Sequence, residues 1–146
     1  MIKIIQIAET NINTNRDLLV NPELSRILFQ VTEGEEKAVI VCKEILSRVK
    51  DIDPDFINGG IGYLRLLMSF DLCGYDIWLL YHDVCKNNLS LMIVLLRAIQ
   101  LGICSIFDIK NMIQVGFHID IKNILFRVIH ILPNLKLDMG IDYSCI

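Results

Sequence analysis

The sequence predicts a mainly α-helical fold, with about six short helices around a central buried helix hairpin and a small terminal β element. Two observations predict the helices: apolar residues recur at helical spacing along most of the chain, and capping residues or glycines mark the ends of these segments. Near the C-terminus the apolar residues instead alternate, which predicts a strand. An α+β fold is the alternative. A length of 146 residues predicts one domain over 1–146.

The stretch 74–102 predicts two helices that fold back on each other across a corner at Asn87 and Asn88. In the first helix, five apolar residues share one face: Ile77, Leu80, Tyr81, Val84 and Cys85. The second helix is apolar around its whole circumference, and a helix of this kind must be enclosed by protein on all sides. We therefore place 88–101 at the centre of the fold, with Asn88 as its N-cap and Gly102 as the residue that ends it.

Other helices are predicted on both sides of this hairpin, at about 22–30, 33–50, 61–70, 106–116 and 121–132. Asn21, Ser105 and Asp120 are the predicted N-caps of the first, fourth and fifth. Thr32 and Glu35 have the spacing of a capping box, which predicts the start of the second. For 26–31 a β interpretation stays open.

Two strands are predicted at the chain ends. Residues 2–8 are rich in β-branched side chains, and residues 135–145 alternate between apolar and polar side chains. A lone strand leaves backbone groups unsatisfied, so the two are expected to pair, within one subunit or between subunits.

The composition favours a protein that contacts other proteins. Hydrophobic residues make up 53% of the chain and charged residues 21%, and the mean hydropathy is +0.50. A small domain has much surface to cover, so apolar surface is expected to remain for a protein partner, a homo-oligomer, or both. The basic residues are scattered and the net charge is -3, which argues against nucleic acid as a partner.

Composition also predicts the compartment. No apolar stretch reaches the roughly 18 to 20 residues that a membrane span requires, and no signal peptide is evident at the start. Five cysteines, an odd number without framework spacing, predict free thiols in a reducing cytoplasm. Richness in Ile, Asn and Lys is typical of the AT-rich genomes of many viruses, phages or low-GC bacteria, and for a viral protein the location is the host cytoplasm.

One candidate metal pair is present. His82 and Cys85 are three residues apart and are predicted to share a helical side, as two zinc ligands would. The spacing from Cys73 to Cys104 matches no metal pattern, and cysteine is among the most frequently buried residue types. Core thiols are therefore the favoured interpretation, and no metal or other cofactor is predicted.

A glycine-rich segment at 59–62 precedes a helix and raises the alternative of an anion site. Its candidates are Gly60, Gly62 and Arg65, because amides at a helix N-terminus attract anions. The dinucleotide pattern would need glycine at position 65, and no Gly-Lys-Ser/Thr follows. A turn is the favoured interpretation.

The aromatic residues near the start of the hairpin are the first interaction candidates. Tyr75, Trp78 and Tyr81 are side chains of the kind that anchor either a core or an interface. Arg97 is a further candidate, since it is the only charge in a nearly all-apolar helix. It is expected to reach the surface or to pair with Asp83 or Asp76.

Together these observations predict a non-catalytic interaction or oligomerisation module, with an accessory or regulatory role in a virus, phage or other mobile element as the specific hypothesis. One alternative is a small enzyme, or a ligand- or metal-binding protein, that uses His82, Cys85 and Arg65. Another alternative is a virion or assembly component.

Overall fold

A computed structural model describes residues 21–115 and 120–137 of the chain. Within these ranges the chain forms seven α-helices and one π-helical turn, which confirms the mainly helical prediction. In chain order these are α1 (Pro22–Thr32), α2 (Glu36–Ile52), α3 (Gly59–Ser69), α4 (Gly74–Leu79), the π turn (Leu80–Val84), α5 (Leu89–Gln100), α6 (Ile106–Val115) and α7 (Ile121–Ile131).

The predicted terminal β element is not found among the described residues. The segment 2–8 and most of the second predicted strand, 138–145, lie outside the described ranges, as do Gly116 and His118. Residues 135–137 are described and belong to no strand. There the N–H of Lys136 donates to the carbonyl of Ile52 at 2.8 Å, so this segment is attached to the end of α2.

Four helices begin at the predicted caps. A side-chain oxygen of Asn21, Asn88, Ser105 and Asp120 in each case accepts the backbone N–H of the residue three positions later. These bonds satisfy amides that have no acceptor within the helix. The β interpretation of 26–31 is wrong, because this segment lies inside α1.

The predicted capping box at Thr32 and Glu35 is also wrong. Thr32 is the last residue of α1, and its hydroxyl donates to the carbonyl of Leu28 at 2.9 Å. The chain then turns through Glu33 and Gly34, with φ angles of 55° and 77°. Glu35 precedes α2 without a capping hydrogen bond from its side chain to a described residue. A left-handed turn therefore separates the two helices, and α2 begins at residue 36.

The predicted hairpin is formed by α4 with the π turn and by α5. Its corner is at Lys86 and Asn87, which both have positive φ angles, of 53° and 63°. The first arm differs from a regular α-helix because the N–H of Cys85 donates to the carbonyl of Leu80, five residues earlier, at 2.9 Å. This spacing defines a π-helix, a rare element in proteins.

The helix α5 lies at the centre of the fold, as predicted. Every residue from Leu89 to Leu96 is buried, and α2, α3, α7 and the π turn pack against this helix. The last turn is less enclosed, since Gln100 and Leu101 are exposed. Burial of apolar side chains on all sides of a helix supplies much of the free energy of folding in a domain of this size.

The surface of the described ranges also carries large apolar side chains. The most exposed are Ile57, Phe107, Val115 and Phe126. None of the helices in residues 21–115 and 120–137 is long and apolar enough to cross a membrane. Within these ranges, some of the many apolar side chains are therefore buried in the core and others are exposed on the surface.

Candidate functional site

Three of the four predicted interaction residues lie together on one surface. Tyr75 and Trp78 are on α4, and Tyr81 is in the π turn. Tyr75 is 55% exposed, while Trp78 and Tyr81 are half-buried. The ring centroids of Trp78 and Tyr81 are 6.3 Å apart, within the range of a favourable aromatic contact.

The Trp78 ring contacts two further side chains. The imidazole of His82 is stacked on it, with the ring centroids 5.0 Å apart and the planes inclined by 20°. The Nζ atom of Lys37, on α2, lies 5.2 Å from the indole centroid, at a cation–π distance. The Nδ1 atom of His82 lies 2.7 Å from a carboxylate oxygen of Asp83. Together, these side chains and the Trp78 ring form an extended, partly exposed surface of polar and aromatic groups.

The outer face of α2 continues this surface. Burial raises the pKa of Tyr81, the negative charge of Glu44 raises it further, and Arg48 opposes the shift, so both charged side chains lie close to the phenol. Ile40 is 54% exposed and lies between Lys37 and Glu44 on the helix, at spacings of three and four residues. It therefore lies on the face of α2 that borders Trp78 and Tyr81.

We name this surface the aromatic face, formed by Ile40, Tyr75, Trp78, Tyr81 and His82. The sequence predicted the three aromatic members, but neither the presence of Ile40 on this surface nor the stacking of His82 on Trp78. The i, i+4 spacing of Trp78 and His82 could have predicted the contact between these two rings. Only the packing of α2 against α4 brings Ile40 to the same surface.

Arg97 is not part of the aromatic face. Its side chain is 11% exposed, and its Nε lies 3.1 Å from Oδ2 of Asp53, which is 3% exposed. The predicted partners Asp83 and Asp76 are therefore wrong. Asp53 follows the end of α2, and the packing of α2 on α5 brings this carboxylate to the guanidinium.

The Arg97 ion pair belongs to a buried cluster with two aromatic rings. The hydroxyl of Tyr63 donates to Oδ2 of Asp53 at 2.5 Å, and burial, followed by this bond, raises the pKa of Tyr63. The Phe56 ring lies 4.4 Å from that of Tyr63 and 4.8 Å from the guanidinium of Arg97, measured to the ring centroid. These contacts hold the segment after α2 against α3 and α5, so the cluster stabilises the fold.

The three anion-site candidates do not converge on a common site. Arg65 is 2.7 Å from a carboxylate oxygen of Glu23 on α1, to which it donates a hydrogen bond. A Cβ atom at Gly60 would lie 2.9 Å from the Cα of Leu46, so α3 can approach α2 closely only because this residue lacks a side chain. Gly62 is likewise surrounded by neighbouring atoms at short distance. Gly60 is thus explained by the packing of α3 on α2, and Gly62 by the close approach of the preceding loop at Phe56 and Ile57.

The prediction that His82 and Cys85 share a helical side is wrong. The side chain of His82 is 49% exposed, whereas Cys85 is fully buried in the core. The π turn between them changes the angular spacing that a regular α-helix would give. Although neighbours in sequence point in different directions on a regular helix, His82 contacts the carboxylate of Asp83 here. No group of three or more metal-ligating side chains is found in residues 21–115 and 120–137.

The chain matches no family model, no curated protein and no solved structure. The functional interpretation therefore depends on the residues of this chain and their geometry. On the aromatic face, two rings contact the partly exposed Trp78 ring, and Tyr75 and Ile40 are more than half exposed.

We expect the thiols to differ sharply in reactivity. Burial raises the pKa of Cys42 to about 12 and also raises that of Cys85, whereas Cys73 is exposed before α4. Because the reagent must reach a thiolate, the exposed Cys73 should react rapidly with a disulfide reagent near pH 8, Cys104, whose pKa burial raises to about 11, slowly, and Cys42 and Cys85 only after unfolding. A titration in a Cys145→Ser background, with and without Cys73→Ser, measures this difference.

Rapid reaction of a second thiol in the native Cys73→Ser variant would contradict this expectation. It would then favour the alternative of a small enzyme with a nucleophilic cysteine.

Proposed function

We propose that this chain acts by protein contact and that the aromatic face is its contact surface. The observation that supports the proposal is the contact of the Trp78 ring with the rings of Tyr81 and His82, on a surface that also carries the exposed side chains of Tyr75 and Ile40. Tryptophan and tyrosine are enriched among the residues that contribute most to binding at protein interfaces. The π turn adds support, because such turns frequently lie at functional sites.

The partner that we propose is a second copy of the chain. In a twofold dimer the same patch meets itself, so a self-complementary surface needs charges of both signs at its edge. The aromatic face has Lys37 and Arg48 as nearby cations and Glu44 and Asp83 as nearby anions. An apolar centre with mixed charges around it suits this kind of pairing.

Replacing Ile40 and Tyr75 with glutamate should abolish self-association. Both side chains are more than half exposed, so the charges should disrupt the interface while leaving the fold intact. We expect a dilution series by light scattering to show dimers of the 16.8 kDa chain, and only monomers for the double variant. A loss of about 2 kcal/mol or more of binding energy, as at interface hot spots, corresponds to about a thirtyfold weaker dimer.

Phe126→Glu is the matched control. This residue lies on α7 and is 76% exposed, but α7 packs against α5 and contributes no residue to the aromatic face. The control should therefore associate like the unmodified chain. A monomer at every concentration for the unmodified chain would refute the proposal, and so would equal association of all three proteins.

Trp78 offers a second measurement, because it is the single tryptophan in the chain. Its fluorescence reports on the aromatic face directly, and we expect emission to shift to shorter wavelength as association removes water from the indole. The shift should be concentration-dependent and absent in the double variant.

The wider hypothesis of an accessory or regulatory protein from a virus, phage or other mobile element stays a proposal supported by composition. A contact module without catalytic chemistry would suit such a role. Regular oligomers much larger than a dimer would instead favour the virion or assembly interpretation.

A further inference from the structure

A cleft of about 440 Å³ lies at the start of α5, and none of the residues that form the aromatic face lines it. Its walls are the last turns of α2, the corner of the hairpin and the segment around Lys136. The volume is within the range of about 300–1,000 Å³ that is typical of small-molecule sites. The cleft is therefore large enough for a small organic ligand rather than a single ion.

Asn88 lines this cleft and carries an unsatisfied donor. Its side chain is on a residue that is only 7% exposed, and Oδ1 is used twice, by the N–H of Leu91 at 3.0 Å and by the hydroxyl of Ser90 at 2.7 Å. The other end of the amide, Nδ2, is buried and has no hydrogen-bond partner among the described residues. A buried donor without a partner is unfavourable, and an acceptor brought by a ligand would remove that cost.

The charge around the cleft has the sign that an anion requires. Three basic side chains, Arg48, Lys86 and Lys136, contribute to its walls against one acidic side chain, Asp51, in the described ranges. The N-terminus of α5 adds the positive end of the helix dipole, and the first turn of this helix contains no acidic residue. An anion with several acceptor oxygens would thus meet cations, helix amides and the Asn88 amide together.

We propose that this cleft binds the phosphate group of a small phosphorylated sugar, either free or as part of a mononucleotide. Phosphate offers enough oxygens for several donors at once, and it is recognised well by arginine and by helix N-termini. Asp51 would repel a bare anion but accept hydrogen bonds from sugar hydroxyls, which explains a carboxylate in a basic cleft. None of the five residues of the aromatic face lines this cleft, although Arg48 borders both sites.

The test is calorimetric titration of the full chain with ribose 5-phosphate, inorganic phosphate and ribose. Ribose 5-phosphate should bind most tightly, inorganic phosphate more weakly, and ribose not at all up to about 10 mM. Added salt should weaken the binding of both phosphates, because the attraction is electrostatic. Adenosine monophosphate distinguishes the two sources of the sugar phosphate: tighter binding than ribose 5-phosphate would indicate a nucleotide.

Asn88→Ser isolates the proposed donor, whereas Asn88→Asp also adds a negative charge that should weaken phosphate binding further. Serine and aspartate are both good N-caps, so α5 keeps its capping acceptor while Nδ2 is lost. We expect both variants to bind ribose 5-phosphate about tenfold more weakly or worse, with an unchanged circular dichroism spectrum. Lys86→Gln with Lys136→Gln, at two exposed positions, should also weaken binding without affecting the fold.

Lys122→Gln on α7 is the control for charge, since it removes the same charge at an exposed position outside the cleft. It should bind like the unmodified chain. No binding of either phosphate, or equal binding by Asn88→Ser and the unmodified chain, would overturn the site. Equally tight binding of inorganic phosphate and ribose 5-phosphate would overturn the sugar part of the proposal, and equally tight binding of ribose would overturn the anion part.

Discussion

Asp53→Ala is expected to lower the free energy of unfolding by about 3–5 kcal/mol, among the largest effects of any single substitution in the described chain. The carboxylate of Asp53 is the common partner of Arg97 Nε, at 3.1 Å, and of the Tyr63 hydroxyl, at 2.5 Å. Its removal would leave a nearly buried guanidinium without a counter-charge and a buried phenol without an acceptor. Urea unfolding followed by circular dichroism measures the change.

Asp51→Ala is the matched control for this experiment. Asp51 is two residues earlier and exposed, so its removal should change the free energy of unfolding by no more than about 0.5 kcal/mol. Asp53→Asn should give an intermediate loss, because it keeps an acceptor for Tyr63 but not the charge for Arg97. If Asp53→Ala lowered the free energy of unfolding by less than about 1 kcal/mol, the ion pair would not hold the segment after α2 as we describe.

Leu95→Ala is expected to lower the free energy of unfolding by about 2–5 kcal/mol. Leu95 is fully buried in α5, where neighbouring helices surround the axis, so truncation would leave a cavity that the packed helices cannot readily fill. Part of the loss is the transfer free energy of the removed methyl and methylene groups, and part is the cavity. The same unfolding measurement applies.

Leu101→Ala makes the same chemical change at the exposed end of this helix. Leu101 is 38% exposed, so its truncation removes fewer contacts and should cost about 1 kcal/mol or less. Similar losses for the two variants would mean that α5 is not enclosed, and the central position that we assign to it would be wrong.

Much of the helical framework could be predicted from the sequence, because its causes are local. Four side-chain caps lie where the residue types indicated them, and each acts on an amide only three residues away. The enclosure of α5 was also predictable, since a helix that is apolar on every side has no face for water. The capping box predicted at Thr32 and Glu35 is absent for a local reason as well. The Thr32 hydroxyl donates to a backbone carbonyl of the preceding helical turn instead of capping α2.

The candidate sites depended on contacts between distant parts of the chain. Arg97 pairs with Asp53 rather than Asp83 or Asp76, and Lys37 lies over the Trp78 ring, because α2 packs against both α4 and α5. The cleft at Asn88 combines side chains from α2, the hairpin corner and the segment near residue 136, which no local pattern relates.

The sequence by itself determined the approximate positions of the helices, four of their N-caps and which helix is central, since periodicity and capping act over three to eight residues. Only the tertiary structure decided which helix faces meet, which charges pair in the core and that the amide nitrogen of Asn88 has no acceptor among the described residues. The physical reason is that packing and charge pairing are settled by the shape of the whole folded chain, in which neighbours in space are far apart in sequence.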